Sequence, residues 1–118
     1  MTSPDEADLV ADLKRIGFRV ESVYDFVNTA APYPNAYPIL VRHLSLPHDR
    51  PTREGIVRAL TVKDARPVAG RALLEAFESE RDPLIRWVLA NALRTVLPWK
   101  ERQKYPEVEN VLKTGLAP

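Results

Sequence analysis

Apolar side chains recur every three or four residues along most of the chain, which is the spacing of one α-helical face. The clearest case is the segment 83–97, which follows a capping residue, Asp82, and begins with Pro83. These two residue types are typical of the N-cap and of the first helical position. Its apolar positions are Ile85, Val88, Leu89, Ala92, Leu93 and Val96. No segment shows the strict apolar–polar alternation of a strand. The pattern therefore predicts an all-α protein.

A first helix is predicted near the N-terminus. Its apolar positions are Leu9, Val10, Leu13 and Ile16. We expect Ser3 to cap it, Pro4 to be its first residue and Glu6 to complete a capping box. Gly17 has the residue type that most often ends a helix.

The same spacing predicts a helix in each half of 36–64 and in each half of 65–97. When the chain is aligned with itself at an offset of 33 residues, apolar and capping positions coincide across two helices. The offset places Leu40 on Leu73, Leu44 on Phe77, Asp49 on Asp82, Arg53 on Arg86, Ile56 on Leu89, Ala59 on Ala92 and Leu60 on Leu93. A helix pair that recurs at this distance is typical of an α-solenoid.

The repeat divides the single expected domain, 1–118, into four parts. Repeat 1 covers 36–64 and repeat 2 covers 65–97. Helices in 3–29 are expected to cap one end, and a segment at 99–113 is expected to cap the other. About two full repeats with capping helices is the predicted organisation.

The second repeat resembles HEAT repeats, in particular the short bacterial HEAT-like domains related to the phycobilisome-lyase type. The resemblance covers roughly 36–97 and rests on DPLIRW at 82–87 with ANAL at 90–93. The earlier copy has DRPTR at 49–53 and IVRAL at 56–60, but its proline is one place late and Gly55 lies inside the helix. The resemblance implies a short right-handed α–α superhelix, with first helices on the convex side and second helices on the concave side. It also implies a role as a protein-binding scaffold.

Composition agrees with a folded soluble domain, since 45% of residues are hydrophobic and 28% are charged. The chain has no cysteine, which excludes disulfides and thiolate chemistry. Without an apolar run of membrane-spanning length or a signal peptide, we expect a cytoplasmic protein and no membrane partner. Residues 1–41 have three basic and six acidic side chains, whereas 42–104 have thirteen and eight. The middle of the chain is therefore mildly basic.

The second helices of the two repeats supply the predicted partner-binding groove. On 83–97, one set of side chains points away from the apolar stripe, and the 33-residue offset gives its counterparts. The predicted groove residues are Glu54, Arg58, Thr61, Trp87, Asn91 and Arg94. Tryptophan and arginine are common in interface hot spots, although Trp87 could equally pack under the C-terminal segment.

Other polar residues are interpreted structurally. Four are predicted to cap helices and to link repeats by charge-assisted hydrogen bonds: Asp49, Arg53, Asp82 and Arg86. His43 and His48 lack the partners of a metal set and are interpreted as a chance pair. The acids Asp5, Glu6, Asp8 and Asp12 are interpreted as a solvated first helix. In the run WKERQKY at 99–105, Trp99 is expected to plug the end of the stack rather than to mark a phosphate contact.

No residue pattern indicates catalysis, a cofactor or a metal site, so the chain is predicted not to be an enzyme. The leading hypothesis is a protein–protein interaction module, either a monomer or a weak end-to-end homodimer. Nucleic-acid binding, related to DNA repair, is the alternative that the basic middle region suggests. A small regulator or immunity-type antagonist is a further alternative.

Overall fold

The computed structural model describes residues 5–114, and over that range the chain is helical without any strand, so the predicted all-α class is confirmed. Two 3₁₀ turns, Pro34–Ala36 and Lys63–Ala65, lead directly into the helices that follow them. The helices are α1 (Ala7–Arg15), α2 (Tyr24–Val27), α3 (Tyr37–Leu44), α4 (Arg50–Ala59), α5 (Arg66–Ser79), α6 (Pro83–Val96), α7 (Trp99–Arg102) and α8 (Pro106–Thr114).

The helices pack as two layers. One layer runs from α1 through α3 to α5, and the other runs from α2 through α4 and α6 to α8. Helices α3 and α4 also pack against each other, as do α5 and α6. The molecule measures 38 × 25 × 22 Å, with a radius of gyration of 13.8 Å. The pair α1 and α2, expected only to cap one end, extends both layers by one further helix.

The core lies between these layers. All six predicted apolar positions of α6 are buried, and the equivalent residues Leu60 and Leu93 are both fully enclosed. Each of α3, α4, α5 and α6 has a proline in its first turn, where a missing backbone N–H leaves no hydrogen bond unmade. These prolines therefore start helices rather than interrupt them.

Details of the first helix differ from the prediction. Helix α1 begins at Ala7, and Ser3 and Pro4 lie outside the described residues. Glu6 occupies the N-cap position of α1, and its side chain does not cap this helix. Instead it is buried and accepts hydrogen bonds from Val23 N–H and Ser22 Oγ, both at 3.4 Å. The predicted capping box joins Glu6 to Ser3 and so lies outside the described residues, while the Glu6 carboxylate contacts the start of α2.

One predicted apolar position of the first helix is also exposed. Ile16 follows the last residue of α1 and is 48% exposed. Gly17 has a φ of 101°, which suits glycine and ends α1. Because the chain turns at this glycine, Ile16 is no longer held against the core.

The close approach of α2 to α4 explains why the first copy of the pattern has a glycine, Gly55, inside its helix. A Cβ at this position would lie 2.5 Å from Val23 Cγ1 and 2.9 Å from Tyr24 Cε2. Val23 is fully buried and has no room to retreat, and the Tyr24 ring is tethered by the hydrogen bond that its hydroxyl donates to the Pro51 carbonyl at 2.8 Å. The close packing of α2 on α4 therefore requires glycine.

Candidate partner-binding groove

An open cavity of about 600 Å³ lies where α2 and the segment after it meet the C-terminal end of α4. Three of the six predicted groove residues, Arg58, Thr61 and Asn91, lie in its wall. The rest of the wall comes from Phe26, Val27, Thr29, Ala30, Ala31, Pro32, Tyr33, Tyr37, Val62, Lys63 and Asp64. Residues far apart in the sequence thus form one concave surface.

Aromatic rings form one side of this cavity. The Phe26 and Tyr33 ring centres are 4.5 Å apart, and those of Tyr33 and Tyr37 are 5.6 Å apart. The Tyr33 hydroxyl donates to the Ala59 carbonyl at 2.8 Å, and burial raises the pKa of this phenol. Tyr33 therefore stays protonated near neutral pH and fixes the segment before α3 to the end of α4.

The polar side of the cavity presents mainly hydrogen-bond donors. Arg58 Nε donates to Glu54 Oε2 at 2.8 Å, while the rest of the guanidinium group remains available. The side-chain amide of Asn91 makes no hydrogen bond with residues 5–114. Lys63 and Asp64 are exposed beside them. Glu54 therefore orients Arg58, although it is not part of the wall itself.

The remaining predicted groove residues, Trp87 and Arg94, lie outside the cavity wall. Trp87 is half-buried and packs against the hydrophobic core, and its Nε1 is enclosed without a hydrogen-bond partner in the described part of the chain. Arg94 is exposed one turn beyond Asn91 on α6. The spacing along α4 and α6 thus predicted three residues of the cavity wall, while much of the wall comes from residues between 26 and 37.

The predicted capping residues lie at the junction between the two repeats. Asp49 accepts from Thr52 N–H and Asp82 accepts from Leu84 N–H, both at 3.0 Å. Asp82 also receives two hydrogen bonds from Arg50, at 2.8 and 3.0 Å. This contact joins the start of α4 to the start of α6.

The two predicted arginines have different partners. Arg53 is paired with Glu80 of the next repeat, so it links α4 to the end of α5. Arg86 instead donates to the Phe77 carbonyl at 2.7 Å, and its guanidinium lies 4.1 Å from the centre of that phenyl ring. Arg53 therefore contacts a residue of the other predicted repeat, whereas Arg86, at the equivalent position, contacts a residue of its own.

The structure overturns the interpretation of the histidines as a chance pair. His43 Nδ1 and His48 Nε2 are 2.9 Å apart, and the outer nitrogens of the two rings contact Asp12 and Asp5. The solvated-helix interpretation of the N-terminal acids is also wrong for Asp5, Glu6 and Asp12, and of these four acids Asp8 alone is exposed. The seven-residue spacing of Asp5 and Asp12, which places them on one face, was the available signal.

Trp99 does not plug the end of the stack, because its side chain is 66% exposed. The C-terminal end is covered by α8 instead, where Val108 is fully buried.

Within residues 5–114, no helix is both long enough and apolar enough to cross a membrane. No group of three or more histidine or acidic side chains in that range is arranged to hold a metal ion. No protein-family model, curated protein or solved structure matches this chain.

Proposed function

We propose that this chain is a non-enzymatic, HEAT-like repeat module that binds an extended acidic segment of a partner protein in the cavity. The layered packing of helix pairs supports the HEAT-like description, since stacked hairpins with like helices adjacent are typical of α-solenoids. One observation carries the binding proposal: Arg58, Thr61 and Asn91, on different turns and helices, meet in one concave surface.

The chemistry of the wall favours an acidic ligand. Arg58, Lys63 and Asn91 offer N–H donors, and Asp64 is the single carboxylate among the lining residues. Arginine binds carboxylates through two parallel hydrogen bonds, which adds both strength and direction. The neighbouring aromatic rings suit the apolar part of a peptide, and the volume lies within the usual range for binding pockets.

A protein partner is favoured over nucleic acid because much of the positive charge in 42–104 is already paired. Arg42, Arg50 and Arg53, which lie outside the cavity wall, each contact a carboxylate of this chain. Phosphate backbones are recognised by stripes of available cations, and paired arginines contribute little to such a stripe.

The test uses a random-peptide library displayed on phage, selected on the immobilised chain. We expect enriched peptides that share an acidic residue beside apolar ones. Their affinity should fall about tenfold or more in Arg58→Ala, since a charged hydrogen bond contributes about 1.5–3 kcal/mol. Asn91→Ala should weaken binding less.

Arg71→Ala is the matched control. Arg71 on α5 is exposed and, like Arg58, pairs with a glutamate one turn away, so its removal deletes the same charge and the same type of ion pair. Equal affinity of the parent and Arg58→Ala for every enriched peptide would rule out the cavity as the binding site.

A further inference from the structure

A chain of four ionisable side chains connects the N-terminal helix to the rest of the fold. Asp12 on α1 contacts His43 Nε2 at 2.8 Å, and His43 Nδ1 contacts His48 Nε2 at 2.9 Å. His48 Nδ1 then contacts Asp5, just before α1, at 3.0 Å. Both imidazoles are almost fully enclosed, with side-chain exposures of 2% and 7%. This set of contacts therefore runs from Asp12 on α1, through α3 and the loop after it, to Asp5 just before α1.

The two rings meet edge to edge. Their centres are 5.2 Å apart while the facing nitrogens are 2.9 Å apart, so both nitrogens lie close to the line that joins the centres. The lone pair of each nitrogen therefore points at the other ring. This gap accommodates a shared proton but is too short for a metal ion between two nitrogens, each of which needs about 2 Å.

Counting protons fixes the charge of this arrangement. Two of the contacts join a ring nitrogen to a carboxylate, and the third joins the two facing ring nitrogens. Each contact needs one N–H proton, so three are required, whereas two neutral imidazoles carry two in total. With two ring protons, one contact would join two acceptors. With four, the facing nitrogens of His43 and His48 would both be donors. Only the state with one additional proton forms all three hydrogen bonds.

Both carboxylates are suited to balance that proton. The hydrogen bond from His43, opposed by burial and aided by Arg42, lowers the pKa of Asp12. Burial raises the pKa of Asp5, but hydrogen bonds from the Asp49 backbone N–H and from His48 outweigh it and lower the pKa overall. The additional proton therefore belongs to the two rings, between two ionised acids.

We propose that the Asp5–His48–His43–Asp12 chain holds one shared proton and acts as a pH-sensitive latch that docks the N-terminal helix on α3. His48 also lines an open depression of about 760 Å³ between α3 and α5, which gives the shared proton access to solvent. The charged groups that surround the pair are Asp5 and Asp12 with Arg15 and Arg42 on one side, and Asp49, Arg53 and Glu75 on the α4 and α5 sides.

The sign of the pH dependence follows from the same count. Free histidine has a pKa of about 6.5, so above that pH two undocked rings hold fewer than one proton in total, and below it they hold more. The docked pair holds one. Undocking therefore releases protons at higher pH and takes them up at lower pH, and docking of α1 is strongest near about pH 6.5.

The direct test is nitrogen NMR of histidine side chains in the untagged chain. Because the chain contains two histidines, every histidine signal comes from this pair. At about pH 7.5, where a free imidazole is mostly neutral, we expect protonated His43 Nε2 and His48 Nδ1, with the facing nitrogens at averaged shifts. Two independent neutral rings at this pH would overturn the proposal.

Hydrogen exchange tests the latch itself. Above about pH 7, the opening constant of α1 amides in the parent chain should increase by a factor that approaches ten per pH unit, the limit for one released proton. His48→Gln should remove this dependence. Asp8→Asn is the control, because Asp8 is an exposed acid on the same helix outside the chain of contacts.

An Asp8→Asn profile that matches the parent, together with a flat His48→Gln profile, would support the latch. Parallel profiles for the parent and His48→Gln would overturn it. The NMR measurement needs only the parent chain, so it stands even where a variant fails to fold.

Discussion

Helices α4 and α6 lie side by side in one layer and align at the 33-residue offset, yet their neighbours require opposite residues at one position. The 33-residue offset aligns Gly55 with Val88. Helix α2 lies so close to α4 that even a methyl group at Gly55 would overlap Val23, whereas Val88 is buried on the helix that α8 covers. A repeat pattern therefore specifies the shared core, and each end of the stack adjusts it to the helix that packs there.

The largest effect is expected where the two helices agree. Leu60→Ala and Leu93→Ala should each lower the free energy of unfolding by about 3 kcal/mol, because both side chains are fully buried and removal leaves a cavity. Urea denaturation measures both. A loss below about 1 kcal/mol at either site would mean that the two positions do not share a core role.

The next effect concerns the difference between the helices. Gly55→Ala should lower the free energy of unfolding by about 2 kcal/mol, since overlap with Val23 and Tyr24 exceeds the gain in helix propensity. Gly70→Ala in α5 is the control, because its Cβ would approach no atom closer than 3.9 Å. That variant should gain up to about 1 kcal/mol. Stabilisation by both substitutions would show that α2 does not pack tightly on α4.

The smallest effect is expected at the link between the two helix starts. The hydrogen bonds from Arg50 are the main cause of the lowered pKa of Asp82. The stabilisation is therefore complete above the ordinary carboxyl pKa of about 3.9 and is lost as the pH falls through the lower folded value. Arg50→Gln should lower Tm slightly at neutral pH, and this difference should shrink in acid. A difference that stays constant below that range would argue against the ion pair.

Much of the helical framework could be predicted because its signals are local. The apolar stripe of α6, its Asp82 cap and the proline that starts it are all encoded within one segment, and each appears as expected. Helical spacing places Arg58 and Asn91 on one side of their helices, and both lie in the cavity wall. The aromatic side of the cavity was not predicted, because residues 26–33 reach the cavity through the packing of α2 on α4.

The sequence by itself determined where most helices form and which of their faces are apolar, because backbone hydrogen bonding and periodicity act within a few residues. Only the tertiary structure decided which polar residues meet. Asp12 and His43 are 31 residues apart, and Asp5 and His48 are 43 apart, so no local pattern links them. The shared-proton arrangement exists because α1 docks on α3, and burial turns four ordinary surface residue types into one coupled group.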